Sequence, residues 1–194
     1  MASPPEAWRL FVALELPESI RESIEEVQQA LRWKGLQRLR WVKPEGIHLT
    51  LKFLGNVSSE RLPELSGALA EASEGTGDLR LTVGAAGVFD ERRPRVLWLG
   101  LSGDLDRLRE LQGRVRAQLA GLGFEPEGRP LTPHLTLARV PPESAMTLRD
   151  PIRLALAETK APGETFIARD MSLIRSVLTR DGAIYSRLAS FPLS

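Results

Sequence analysis

HLTL stands at His48-Leu49-Thr50-Leu51 and again at His134-Leu135-Thr136-Leu137. These are the only two histidines among 194 residues, and each opens the same tetrapeptide. At average residue usage a given His precedes Leu-Thr-Leu roughly once in a thousand or two, so the repetition is not chance. Leu-Thr-Leu is strand chemistry, and along a strand alternate side chains share a face. His48 and Thr50 then point one way, while Leu49, Leu51 and Phe53 point the other. The same alternation sets His134 and Thr136 against Leu135 and Leu137. The leucine rows are core. The His-Thr rows are either plain solvent-facing polarity or a paired functional surface, and Lys, Glu or Arg would serve the first purpose as well.

The surrounding chain repeats along with the motif. WRLFVALELP (8–17) is dense in apolar residues, and RVLWLGLSG (95–103) is its counterpart. Arg9 to His48 and Arg95 to His134 each span 39 positions, so strand and motif both recur at an offset of 86. Equal spacing of strand, helix and His strand reads as an internal duplication, with halves of approximately 8–90 and 94–194 inside one domain covering 1–194. Helices are expected over 18–33, capped by Glu18 or Ser19, over 59–74 after Ser58 or Ser59, over 104–122 after Asp104, and around 147–159. Further strands are expected at 39–43, 48–57, 79–89, 129–140, 164–177 and 183–191. Arg180-Asp181-Gly182 is a hairpin turn between the last two. The pattern predicts an α+β fold: two pseudo-twofold-related lobes, each an antiparallel sheet backed by helices, with the two HxTx strands facing a central cleft.

Composition narrows the function classes. Hydrophobic content of 42% with 26% charged residues describes a globular chain, and a length of 194 residues can bury a sizeable core. With 26 basic and 25 acidic residues the net charge is +1, so contact with nucleic acid must come from local patches. The absence of cysteine excludes disulfides, thiolate metal sites and cysteine nucleophiles. No run reaches the length of a membrane span, and MASPPEAWRL lacks a basic segment followed by an apolar one. The expected setting is cytoplasmic, without membrane, as a monomer and with no obligate protein partner.

Two histidines facing one cleft suit concerted acid–base chemistry. With an ordinary pKa near 6.5, one imidazole can be neutral and the other protonated at neutral pH. One removes a proton from an attacking hydroxyl or water and the other delivers one to the leaving oxygen. Thr50 and Thr136 offer hydroxyls to a bound oxyanion. A metal site is the rival, since two His plus a carboxylate hold iron or zinc. However, neither motif carries a nearby HxD or ExxH arrangement, and no GxSxG elbow or glycine-rich phosphate loop is present. Metal-free chemistry without a cofactor is the expectation.

The motif flanks carry a resemblance as well. WVKPEGIHLTLKFLGNV (41–57), RPLTPHLTLARV (129–140), RLFVALELP (9–17) and the closing ETFIARDMSLIRSVLTRDGAIYSRL (164–188) resemble the two-histidine phosphoesterase superfamily. Within it they are similar to the RNA 2′,3′-cyclic phosphodiesterases, also called 2′-5′ RNA ligases. The resemblance implies opening of a 2′,3′-cyclic phosphate at an RNA end, or on a cyclic nucleotide, to a 2′-phosphate, with 2′-5′ ligation as the reverse. It implies His48 as proton donor, His134 as acceptor, and Thr50 and Thr136 as phosphate-binding hydroxyls. The other readings are a non-catalytic RNA- or nucleotide-binding module and a tRNA-processing ligase.

Arg139 is a further candidate for phosphate, because a guanidinium fits that anion. Strict alternation puts it on the leucine face, and only a strand end or a bulge near Ala138 brings it to His134. Lys52 alternates with His48 and Thr50, and a phosphate contact or a solvated strand end accounts for it equally. Phe53 falls on the core face unless a bulge intervenes. RWKGLQRLRWVK (32–43) holds five basic residues and two Trp. It reads either as an RNA track or, preferably, as a helix terminus complemented by Arg32 and Lys34 with its Trp side chains in the core. DERRPR (90–95) reads as an exposed turn.

Overall fold

A computed structural model describes residues 6–125, 131–180 and 182–194. Nine strands and four α-helices occur among them: β1 (Ala7–Glu15), α1 (Glu18–Leu31), β2 (Arg40–Trp41), β3 (His48–Ser58), α2 (Leu62–Ser73), β4 (Leu79–Phe89), β5 (Val96–Gly103), α3 (Leu105–Gly121), β6 (His134–Arg139), α4 (Ala145–Ala157), β7 (Thr165–Ala168), β8 (Asp170–Thr179) and β9 (Gly182–Pro192). They form two antiparallel sheets, ordered β3-β1-β8-β9 and β2-β6-β5-β4-β7. The α+β, two-lobed architecture expected from the strand and helix periods is the one observed.

Each sheet draws strands from both sequence halves. β1, paired with β3 on one side, pairs on the other with β8 from the far end of the chain. β5, paired with β6 on one side, pairs on the other with β4 from the first half. The expected strand 164–177 is in fact two, because the chain leaves the ladder at Arg169 and passes from one sheet to the other. By ladder register, Val96 opposes Arg139 as Phe11 opposes Phe53. The opening strands are therefore offset by 85 (96 less 11) and the motif strands by 86 (139 less 53), one residue away from the uniform offset expected. Positions 129–130 of the second motif block and Asp181 of the expected turn lie outside the described residues, although β8 and β9 pair directly. Gly35 ends the first helical segment with φ +94, as its lack of a side chain permits. Ser58 accepts from the Glu60 amide ahead of α2, whereas Pro17 rather than Glu18 or Ser19 precedes α1.

The two motif strands share one irregularity. In β3, Lys52 opposes Val12 and Thr50 opposes Ala13, so Leu51 is an extra residue in the ladder. In β6, Ala138 opposes Leu97 and Thr136 opposes Trp98, so Leu137 is extra at the equivalent position. A bulge of this kind leaves its added residue unpaired and resets which side chains face which way. The carbonyl of each added residue is met by a buried glutamine from the helix behind. Gln112 Nε2 of α3 donates to the Leu51 carbonyl at 3.2 Å, and Gln28 Nε2 of α1 donates to the Leu137 carbonyl at 3.0 Å. Gln28 also donates to the Val42 carbonyl at 2.8 Å, tying the entry of β3 to β6. Both glutamines are almost wholly enclosed, at 0% and 4% exposure, among leucines and valines.

A buried amide is retained in such surroundings only where it satisfies another polar group. Replacing Gln112 by Leu keeps the volume and removes the donor to the Leu51 carbonyl. Replacing Gln28 by Leu removes a donor shared by the Val42 and Leu137 carbonyls, of which the second keeps the Val42 amide at 2.9 Å. Each loss should cost about 1–3 kcal/mol. Each variant is expected to unfold at lower denaturant, and unchanged stability would show that the bulges are held by something else.

Candidate active site

Beyond each bulge the faces exchange. Phe53 and Arg139, five positions after their histidines, turn outward to the face of the His and Thr, while Lys52 and Ala138 turn inward. The first cleft wall therefore carries Phe11, Ala13 and Glu15 of β1 opposite Phe53, Thr50 and His48 of β3. Phe11, Ala13 and Ile174 form a small apolar cluster of their own there, with Tyr185 packed against it. The second wall carries Trp98 and Gly100 of β5 opposite Thr136 and His134 of β6. β3 and β6 lie against each other between the sheets. A cleft of about 1150 Å³ opens beside them, and its lining includes Thr50 and Phe53 from one motif strand and His134 and Arg139 from the other. His48 and Thr136 belong to the same strands but lie outside that lining.

Both imidazoles are tethered in the same way. His134 Nδ1 lies 2.7 Å from the carbonyl of Thr132, and the carbonyl of Gly46 accepts from the His48 ring. Each partner is the residue two positions upstream. Nδ1–H donation by His134 directs its Nε2 away from the backbone, free to exchange a proton. The surroundings of the two rings differ. His48 stacks on Phe11 at 4.6 Å and meets Tyr185 edge-on at 5.2 Å. Burial in this aromatic pocket lowers its pKa from 6.5 to about 4, against the pull of the Gly46 carbonyl and the Glu15 carboxylate. His134 meets only the edge of Phe89, at 4.9 Å, and its neighbour across the ladder is Gly100 instead of an acid.

Glu15 is itself held in place. Ser172 Oγ donates to it at 2.6 Å and Arg187 Nε lies 3.4 Å away. Tyr185, the chain's single tyrosine, sits over Gly46 so closely that a Cβ there would lie 3.1 Å from its ring. Burial raises the Tyr185 pKa, while the charges of Arg139 and Arg9 work in the other direction. The phenol therefore stays protonated at neutral pH, its ring against His48 and within reach of the charge of Arg139.

Several expectations change on this geometry. Lys52 is 5% exposed and donates to the Glu125 carbonyl at 2.8 Å, so it is not on the His-Thr face. Phe53 is 53% exposed on the cleft side, with its ring 5.8 Å from Phe11, and is not core. In the 32–43 stretch, Trp33 is 86% exposed rather than buried. Trp41 is half-buried beneath Arg32 at 4.8 Å, and Lys34 pairs with Glu158 at 2.5 Å. Glu15, Phe11, Phe89, Trp98 and Tyr185 were not singled out in the sequence, where each reads as an ordinary strand residue. Among the described residues no group of three His, Asp or Glu side chains is placed to hold a metal, and no helix is long and apolar enough to cross a membrane.

Two strands with the same H-x-T-x sequence and the same bulge, on opposite walls of one cleft, define a phosphoesterase of the two-histidine class. Residues 14–98 and again 99–185 match the family described as LigT like Phosphoesterase, and the chain belongs to that family. A curated relative from Methanothermobacter thermautotrophicus, named RNA 2′,3′-cyclic phosphodiesterase, is 31% identical over 187 residues, covering 95% of this chain and 98% of its own. The crystal structure of TT0787 from Thermus thermophilus superposes with a TM-score of 0.77 at 28% identity, covering 95% of this chain and 97% of that one. E. coli LigT complexed with 3′-AMP gives a TM-score of 0.71 at 29% identity, over 97% and 99% of the two chains.

The lowered pKa of His48 makes stability depend on pH. Below about 6.5 the unfolded chain protonates this ring, whereas the folded chain does so only below about 4. More protons bind to the unfolded state in that window, so stability is complete above about 6.5 and falls by about 3 kcal/mol as pH drops to about 4. His48→Gln is expected to flatten this segment of the profile. The His48 ring signal should titrate with a midpoint near 4, and a midpoint near 6.5 would contradict the buried placement.

Proposed function

We propose that this chain opens 2′,3′-cyclic phosphates at RNA ends to 2′-phosphomonoesters, with His134 as base and His48 as acid. The reading rests above all on the duplicated, bulged HxTx strands, which lie against each other with Thr50 and His134 lining the cleft and with His48 and Thr136 two residues away on the same strand faces. Relatives bearing that activity in their name support it. His134 Nε2 takes a proton from water as its oxygen bonds to phosphorus. The bond from phosphorus to O3′ breaks, and His48 delivers a proton to O3′, leaving a 2′-phosphate and a free 3′-hydroxyl. Thr50 and Thr136 donate to the non-bridging oxygens, and Arg139 adds a charge-assisted contact. With an RNA 5′-hydroxyl in place of water, the same groups form a 2′-5′ linkage.

The acid needs its proton. His48 is neutral in the free protein at neutral pH, and the Glu15 carboxylate alone does not keep it charged. The phosphodiester anion supplies the missing attraction, so proton uptake by His48 accompanies substrate binding. His134 faces Gly100 across the ladder and acts as the base. Each half supplies one histidine, so the whole chain acts as one catalytic unit. It works as a monomer in the cytoplasm, where RNA ends are its substrate.

Hydrolysis of a 2′,3′-cyclic nucleotide is expected to persist in a strong chelator and to yield the 2′-phosphate alone. Loss of activity on chelation with recovery on adding a divalent ion, or a 3′-phosphate product, would contradict the mechanism. His48→Ala and His134→Ala should each lower the rate about 10²–10⁴-fold. Thr50→Ala and Thr136→Ala remove one hydrogen bond to a charged acceptor, worth about 1.5–3 kcal/mol, and should cost about 10–100-fold. Equal losses for Thr and His variants would refute this division of roles.

A further inference from the structure

Arg40 and Arg139 stand directly opposite each other in the β2–β6 ladder. Like charges in that relation are destabilising, and among the described residues no carboxylate forms an ion pair with either. The same row continues to Val96 at the start of β5, next to the turn that carries Arg93 and Arg95. Both of these arginines are exposed, both line the cleft, and both likewise lack an ion-pair partner among the described residues. The one acid in the cleft lining among the described residues, Asp90, is committed to the backbone. It adopts φ 61, and its Oδ1 accepts from the Arg93 amide at 3.0 Å. The turn is thereby pinned at Asp90, with Arg93 and Arg95 exposed at the cleft.

Four exposed arginines that line one cleft without carboxylate partners among the described residues favour an anion with several charges. The trough of about 1150 Å³ also exceeds what one nucleotide fills. We propose that Arg40, Arg93 and Arg95 form a track for the backbone phosphates of an RNA strand on the 5′ side of its reacting end. Arg139 is left to the terminal phosphate. The substrate class is then an RNA chain end in preference to a free cyclic mononucleotide. This rests on the reading of the cleft as a 2′,3′-cyclic phosphodiesterase site, and it assigns the part of the cleft that the reaction itself does not use.

The test compares a cyclic mononucleotide with a short oligoribonucleotide ending in a 2′,3′-cyclic phosphate, using wild type and the triple variant Arg40→Ala, Arg93→Ala, Arg95→Ala. At low salt the variant should lose roughly 10²-fold or more in kcat/KM on the oligonucleotide, given charge-assisted contacts. On the mononucleotide it should stay within a few-fold of wild type. Anisotropy with an oligoribonucleotide ending in 2′-phosphate reads binding apart from turnover. The slope of log affinity against log salt should become shallower by about 0.7 for each phosphate contact removed. Arg40→Ala alone should not lower the melting temperature, because it relieves a like-charge pair. Equal losses on both substrates, or unchanged oligonucleotide binding and salt slope, would overturn the track. Arginine-dependent binding without turnover of either cyclic substrate by wild type would support the track and refute the phosphodiesterase reading.

Discussion

The site depends on one extra residue in each motif strand. Inserting Leu51 into β3 and Leu137 into β6 takes each residue out of its ladder pairing, and a buried glutamine answers each carbonyl from behind. Without the bulge, period-two alternation would point Arg139 into the leucine core and Phe53 with it. With the bulge, His, Thr and the residue five positions after His share one face. The low dielectric around Gln28 and Gln112 makes their hydrogen bonds strong and costly to leave unmade. The helices thus set the geometry of strands whose functional face they never touch.

On this symmetric frame the two halves diverge in what surrounds the imidazole. His48 lies among Phe11 and Tyr185 with Glu15 across the ladder, so its charge state is set by burial and by whichever anion is nearby. His134 has a single aromatic edge and a glycine in those places. A duplication supplies two equal groups, whereas acid–base catalysis needs two unequal ones. The inequality comes from neighbours on β1, β8 and β9, not from the motifs.

Much of this was legible in the sequence, for identifiable reasons. Long apolar-periodic segments marked the helices and most strands, and the repeated HLTL with its repeated spacing exposed the duplication. Alternation placed His48 with Thr50 and His134 with Thr136, because all four precede the bulge. It misplaced Lys52 and Phe53, which follow it. No residue type announces a bulge at a leucine, so Arg139 was left undecided. Gln28 and Gln112 looked like ordinary polar helix positions, since a helix period does not reveal which polar residue faces inward toward a bulge carbonyl. Tyr185 comes from the last strand, and only the exchange of strands between halves brings it to His48, while Glu15 meets His48 across a pairing that the alternation of either strand alone does not reveal. The passage from β7 to β8 was hidden for a related reason: both strands are apolar enough to read as one.

The central claim is that two equivalent strands hold two inequivalent histidines that act as one unit on a single phosphate. Rate against pH for wild type, His48→Ala, His134→Ala and the double variant, on one 2′,3′-cyclic nucleotide, tests it most directly. The account predicts a bell for wild type, whose limbs belong to the coupled pair. Loss of the base His134 should remove the acidic-side limb, and loss of the acid His48 the alkaline-side limb. The double variant should lose far less than the product of the single losses. Full activity in either folded single variant, or the same limb missing from both, would contradict it.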